Sequence, residues 1–386
     1  MKKFLTILLA LALTLSVFGC AAPAAEPAPA AEPAPAAEPA PAAEPAPAAE
    51  PVAEDPMEAL VKAAQAEGEL VVYGSCEEAY LAAACEHFQE LYGIKVSYQR
   101  LSTGEVATKI AEEAGNPSAD VWFGGTTDPY NVSAADGLLV AYEAMNASHI
   151  VDPMFRDADG YWYGIYKGIL GFMVNTEELT RLGLEAPKDW DDLLNPDYKG
   201  LISYSNPSTA GTGKLIVNTM VQMKGEEAAM EYFKALDPSI VQYTKSGSGP
   251  SKMVGPGEIV IGIGFLHDGV KQILDGYDNI ALIAPASGTS FEVGATAIFK
   301  GCKHENASKL WIEYALSPEC VNLAKNAESY QFLVIDNAEQ PKEAVEFGLD
   351  TAKLIDYDFE AAKENTTRLV EEYFTYVNGD DRFKTE

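Results

Sequence analysis

From Asp55 onward, short apolar runs rich in β-forming residues alternate with segments of helical periodicity, and this alternation restricts the chain to an α/β architecture. The runs are Leu70–Tyr73, Ile94–Tyr98, Val121–Phe123, Leu201–Tyr204, Ile259–Ile263 and Ala295–Phe299. Between the first two, Leu81, Cys85, Phe88 and Tyr92 recur at the 3.6-residue spacing of a helix face, and Gly93 supplies a stop. The pattern predicts mainly parallel sheets covered on both faces. A globular part of this length is large for one such sheet, so two lobes are expected.

Several of these runs end in a short Gly/Ser/Thr loop that opens a helix. Tyr73-Gly74-Ser75-Cys76 precedes the first, where Ser75 and Glu78 have the spacing of a capping box. Leu101-Ser102-Thr103-Gly104-Glu105 repeats it with Ser102 and Glu105, and Gly124-Gly125-Thr126-Thr127 follows the third run. Ser205 to Thr212 leads into a helix beginning near Gly213. One capping box marks no more than a helix start. Several together place hydroxyls and unpaired N–H groups at the carboxyl ends of strands, where open α/β sheets bind ligands and where an anion is favoured. The candidate residues are Ser75, Ser102, Thr103, Thr126, Ser208, Thr209, Gly211 and Thr212.

Other parts of the chain exclude alternatives. The formal charge is −31, from 27 basic and 58 acidic residues, which argues against nucleic acid as a partner. Lys2 and Lys3 followed by the apolar stretch Phe4–Phe18 and Gly19-Cys20 read as an export signal over 1–20, too short for a comfortable transmembrane helix. Residues 21–56 repeat Ala, Glu and Pro, with Glu26, Glu32, Glu38, Glu44 and Glu50 six apart, and are expected to be a semi-rigid tether. Cys76, Cys85, Cys302 and Cys320 show no C-x-x-C spacing. Cys302 and Cys320 could pair in an oxidising compartment. Cys76 and Cys85, expected on one helix, are too far apart to bridge. Thr212-Gly213-Lys214-Leu215 lacks the first glycine and the final hydroxyl of a phosphate-binding P-loop, and neither G-x-S-x-G nor H-E-x-x-H occurs. Of the histidines, His87 and His304 read as surface or cap residues and His149 lies in a polar loop. His267 alone follows a buried run, where a structural and a ligand-contacting role weigh equally. No catalytic residue, metal or cofactor is expected.

Pro187-Lys188-Asp189-Trp190-Asp191-Asp192-Leu193-Leu194-Asn195-Pro196-Asp197-Tyr198-Lys199-Gly200 resembles a segment of type II periplasmic binding proteins of ABC importers. Ala119–Trp122, Gly137-Leu138-Leu139 and the strand ending Asn175-Thr176 fit the same family, over roughly Gly68 to Asn378. Within it the chain is similar to the ferric-iron and phosphorylated-sugar binders. The resemblance implies a two-lobed α/β fold with a hinge, lobe one being 57–170 plus 291–345 and lobe two 171–290 plus 346–386. Ferric binders carry adjacent tyrosines where this chain has His267-Asp268, and no Tyr-Tyr pair occurs anywhere. Sugar-phosphate binders resemble it there, which implies His267, Asp268 and Glu292 as contacts to sugar hydroxyls. The Ser/Thr helix starts would then take the phosphate. Trp122, Trp162, Tyr163 and Tyr166 could line the cleft or belong to the core.

Val17-Phe18-Gly19-Cys20 is similar to a bacterial lipoprotein cleavage box, which implies lipidation at Cys20. The expected protein is therefore an extracytoplasmic, lipid-anchored monomer on the bacterial membrane. It would capture a small anionic metabolite, a sugar phosphate or other organophosphate, for an ABC importer permease. A ferric-iron or phosphonate receptor is the alternative within the family. An extracellular phosphate-ester hydrolase on a similar scaffold is the alternative outside it.

Overall fold

The computed structural model describes residues 55–377 apart from Val151. The export signal, Cys20, the Ala/Glu/Pro segment up to Glu54 and residues 378–386 lie outside the described residues. The carboxylate of Asp55 accepts the Met57 N–H at 3.1 Å, and Pro56 takes the first position of helix α1 (Pro56–Glu67). Helix thus begins at the last residue assigned to the tether. Among the described residues, no helix is long and apolar enough to cross a membrane.

The strands are β1 (Glu69–Gly74), β2 (Lys95–Arg100), β3 (Val121–Thr126), β4 (Leu139–Val140), β5 (Tyr163–Asn175), β6 (Ile202–Ser205), β7 (Ile240–Thr244), β8 (Ile261–Phe265), β9 (Ile280–Ile283), β10 (Phe291–Phe299) and β11 (Phe332–Leu333). Between them run α2 (Glu78–Tyr92), α3 (Thr103–Glu112), α4 (Thr127–Ala135), α5 (Thr176–Leu182), α6 (Gly211–Lys224), α7 (Glu226–Leu236), α8 (Gly249–Val254), α9 (Leu266–Leu274) and α10 (Glu305–Ala315), and a last described helix spans Phe359–Tyr376. The strand order is β2-β1-β3-β10-β5-β8-β6-β7, with β4 beside β10, and β9 and β11 beside β5.

The expected parallel pairing holds only toward the two ends, where β1 pairs with β2 and β3, and β6 with β7 and β8. In the middle, β10 and β5 are antiparallel to each other and to their neighbours β3 and β8. The reason lies in β5, which is buried along nearly all its length. Its first half, Tyr163 to Ile169, pairs with β10, and its second half, Leu170 to Asn175, pairs with β8 and β9. It carries the chain from one half of the molecule to the other while β10 runs beside it in the opposite direction.

Each half has its own core. Phe88, Trp122, Phe123, Trp311 and Tyr314 anchor the first, with Phe88–Trp311 and Phe123–Trp311 centroids 5.2 and 5.3 Å apart. Phe172, Trp190, Tyr204, Phe233 and Tyr373 anchor the second, where Phe172 and Trp190 meet edge to face at 4.9 Å. Each such buried ring contributes roughly 1.5–3 kcal/mol of transfer free energy. Trp190 of the motif segment donates its indole N–H to the Gly288 carbonyl at 3.0 Å, so that motif packs the second core rather than touching the cleft.

Local expectations fared unevenly. Leu81, Cys85 and Phe88 form the buried face of α2, and Gly93 ends it in the left-handed conformation at φ 68°. Cys76 precedes that helix instead of lying on it. The four described cysteines are free, including Cys302 and Cys320. Glu77, not Ser75, occupies the N-cap position of α2, without a side-chain cap, and the Ser75 hydroxyl instead accepts the Trp122 indole N–H at 3.0 Å. The Ser102–Glu105 box does form. Gly124, Gly125 and Thr126 are the end of β3 rather than a loop, so strand passes directly into α4. α6 starts at Gly211, two residues earlier than expected. Trp122, Trp162 and Tyr163 are core residues. His87 meets Tyr314, His149 meets Asp336, and His304 meets Asp120, each within 3.0 Å.

Candidate functional site

The carboxyl ends of β1, β2, β3 and β8 and the starts of α3, α6, α8 and α9 converge on one pocket between the two halves. It holds about 410 Å³ of atom-free space, counting its open mouth. Nine of the eleven candidate residues line it: Ser75, Ser102, Thr103, Thr126, Gly211, Thr212, His267, Asp268 and Glu292. Ser208 and Thr209 do not; they face a separate surface groove with Gln99, Thr108 and Lys109. Their groups are taken by the turn itself. The Ser208 N–H and hydroxyl both donate to the Asn206 side-chain oxygen, and the Thr209 hydroxyl donates to the Lys245 carbonyl at 2.9 Å.

One side of the pocket is built of hydroxyls and helix starts. Thr103 opens α3, Thr126 stands at the N-cap position of α4, and Gly211 and Thr212 open α6. They are so close that only glycine fits between them. A Cβ on Gly125 would lie 2.4 Å from Thr103 Oγ1, one on Gly211 1.9 Å from Thr126 Oγ1, and one on Gly247 2.1 Å from Thr212 Oγ1. Gly125 also needs its glycine for a φ of 84°. Thr126 Oγ1 is buried without a hydrogen-bond partner among the described residues. Such an orphan costs about 1–3 kcal/mol unless a ligand or water meets it.

The other side is acidic. Asp268 and His267 come from the first turn of α9, Glu292 from β10, and Glu77 from the start of α2. One side-chain oxygen or nitrogen of each of Glu77, His267 and Asp268 lies within 4.8 Å of the others, a spacing that a cation or a shared proton can satisfy. Burial raises the pKa of Glu292 well above the usual carboxylate range, and the neighbouring Glu77 and Asp268 carboxyls raise it further, which favours its neutral, hydrogen-bond-donating form. Burial likewise lowers His267 to about 4 against the opposing pull of Glu77, so its imidazole is neutral at ordinary pH. His267 stacks on Phe265 with ring planes 9° apart, and its Nδ1 is buried with no hydrogen-bond partner among the described residues. Gly168 on β5 lies under both: a Cβ there would be 2.5 Å from His267 Cε1 and 2.9 Å from Glu292 Oε1.

Sequence reasoning missed Glu77 and Arg100. The Arg100 guanidinium donates to the Cys76 carbonyl at 3.1 Å and to the Ser246 hydroxyl at 3.4 Å, and has no carboxylate partner among the described ion pairs. Both residues follow or end a strand, the place where ligands gather, and that position was their only signal. Ser248 was missed as well; it stands at the N-cap position of α8, beyond the end of β7, a strand the sequence pattern does not mark. Tyr166 lines the pocket as one of the two readings allowed, its hydroxyl accepting the Gly125 N–H at 2.9 Å.

The halves are clasped beside the pocket. Ser102 Oγ donates to the Thr209 carbonyl at 2.8 Å, Glu105 pairs with Lys245, and a Cβ on Gly104 would lie 2.4 Å from the Thr209 oxygen.

Comparison with known proteins bears directly on this arrangement. Residues 132–365 match the family model described as bacterial extracellular solute-binding protein. An uncharacterized protein of Haemophilus influenzae is 40% identical over 326 residues, 83% of this chain and 93% of its own. The chain belongs to the bacterial extracellular solute-binding proteins. The solved structure of the periplasmic binding protein AfuA from Actinobacillus pleuropneumoniae, with exogenous fructose-6-phosphate bound, matches with a TM-score of 0.78 and 38% identity, covering 81% of this chain and 99% of that one. The Fe(3+)-binding periplasmic protein of Serratia marcescens is 24% identical over 80% of this chain and 90% of its own. This solute-binding protein thus has the type II two-lobed fold, and its relatives include both sugar-phosphate and ferric-iron binders.

Proposed function

We propose that this chain captures a sugar phosphate between its two lobes, without chemistry, and presents it to an ABC importer permease. The observation that carries the reading is the pairing of two unlike linings in one pocket. Hydroxyls and helix N-termini suit a phosphate, while a neutral imidazole and protonated carboxyls suit sugar hydroxyls, which both donate and accept. The AfuA complex with fructose-6-phosphate supports it. Arg100 supplies a cation for the anion that no lysine in the lining provides. We further propose lobe one as 57–170 plus 291–345 and lobe two as 171–290 plus 346–386, hinged where β5 and β10 cross. The protein would act as a monomer, lipid-anchored through Cys20 and extracytoplasmic.

Ferric iron is the weaker reading. Tyr166 is the one tyrosine in the pocket lining, and burial, reinforced by Glu292, drives its pKa far up, which opposes the phenolate that iron would need. A thermal-shift panel of hexose phosphates, 2-aminoethylphosphonate and ferric citrate tests the choice. A ligand at 100 times its Kd stabilises by about 2.7 kcal/mol. Stabilisation by a hexose phosphate above the others is expected. Stabilisation by iron or phosphonate alone would replace the sugar phosphate as ligand.

A further inference from the structure

Glu77 and Asp268 approach from opposite lobes. Glu77 stands at the start of α2 on the first core, and Asp268 in the first turn of α9, which follows β8 and packs against β5 and β9. Glu77 is fixed in place by the Gln331 amide at 2.8 Å and the Ser329 hydroxyl at 3.1 Å. Asp268 is buried at 7% exposure, and one side-chain oxygen of each carboxyl group lies within 4.8 Å of the other. Two carboxylates this close in an enclosed site repel one another when both are ionised, which favours a proton on one. We propose that Glu77 and Asp268 close on one another across the cleft as a pair sharing one proton, so that ligand capture draws a proton into the site.

The surrounding groups decide where that proton sits. Facing the pair are His267 beside Asp268 on α9, Glu292 from β10, Arg100 from the end of β2 and Lys252 from α8. His267 Nε2 lies 3.7 Å from Asp268. Burial is the largest influence on Asp268 and raises its pKa well above the ordinary range; Glu77 raises it further, while Lys252 and Arg100 oppose. For Glu77, burial is outweighed by its surroundings, Arg100 among them, and its pKa is lowered, so it is the more readily ionised partner. Asp268 therefore carries the proton in the closed form. Opening the lobes would part the carboxyls, admit water and return Asp268 toward its ordinary value, releasing the proton. The sign follows: a carboxyl whose pKa is raised by closure favours closure at low pH. Affinity is greatest below the ordinary carboxylate range and declines as pH rises, by about tenfold per pH unit for one proton, until the closed-state pKa is passed.

The inference rests on the lobes closing around ligand, as proposed above, and two measurements separate its failure from failure of the ligand assignment. The first is calorimetry of the wild type and Glu77→Gln with fructose 6-phosphate at pH 7, in buffers of differing ionisation enthalpy. The phosphate's own ionisation cancels in the difference between the two proteins. About one more proton taken up by the wild type is expected; equal uptake would overturn the proposal. The second is small-angle scattering of the ligand-free proteins at pH 5 and pH 8, with chelator present. The wild type is expected to be more compact at pH 5 and Glu77→Gln to change less. Dimensions independent of pH, or compaction seen only when a divalent cation is added, would overturn the pair even if fructose 6-phosphate does not bind.

Discussion

Gly168 shows how closely the acidic side of the pocket is fitted, since it lies beneath both His267 and Glu292. Gly168→Ala is expected to displace them and weaken hexose-phosphate binding at least tenfold, about 1.4 kcal/mol, with circular dichroism unchanged. Undiminished affinity would remove both residues from the ligand's lining. Asp268→Ala and Glu292→Ala leave sugar hydroxyls unpaired and are each expected to cost about 1–3 kcal/mol in a calorimetric titration. His267 differs from a histidine switch. Burial lowers its pKa to about 4, so it does not titrate between pH 6 and 7. His267→Gln should therefore bind more weakly than the wild type yet follow the same pH profile between pH 5.5 and 8. A wild-type inflection near pH 6.5 that disappears in the variant would contradict a neutral imidazole.

Among the elements, α3 ties local capping to the clasp between lobes. Glu105 accepts the Ser102 N–H at 2.9 Å, shares the Ser102 hydroxyl, 2.8 Å away, with the Thr209 carbonyl, and pairs with Lys245. Burial works against its ionised form, but the Lys245 and Ser102 hydrogen bonds prevail and its pKa is lowered from the usual 4.5. A lowered carboxylate pKa stabilises the fold above pH 4.5, and that contribution fades as pH falls through the folded-state value. Glu105→Gln is expected to lose about 1 kcal/mol at pH 7 and little at pH 3.5, read from thermal denaturation at both. An equal loss at both would mean the charge contributes nothing. Strands with continuous apolar runs, such as β1, β3 and β10, were legible in the sequence. β5 was legible only at its end by resemblance, because Gly164, Gly168 and Gly171 break its apolar pattern. Those glycines make room for groups brought from elsewhere: the Phe155 carbonyl, His267 and the Ile283 carbonyl. Neighbouring hydroxyls were not separable either. Ser208 and Thr209 have the same chemistry as Thr212, and only the turn fixed by Asn206 points them out of the pocket. Glu77 and Arg100, as charges beside strand ends, read as solvated surface until the second lobe covers them.

For the molecule as a whole, anchorage and capture are separate claims. Cys20→Ala is expected to move the protein from the membrane fraction to the unprocessed or released fraction in cell fractionation; a mature-length product still on the membrane would refute lipid anchoring at Cys20. Capture depends on one pocket serving two chemistries, so each half of the ligand alone should be a poor substitute for the whole. Calorimetric titration of the folded chain with fructose 6-phosphate, beside titrations with fructose and with inorganic phosphate, measures this most directly. One site per chain is predicted, with the hexose phosphate binding at least a hundredfold tighter than either part, about 2.7 kcal/mol. Equal affinity for inorganic phosphate, or no heat with any phosphorylated sugar while iron forms a coloured one-to-one complex, would contradict it.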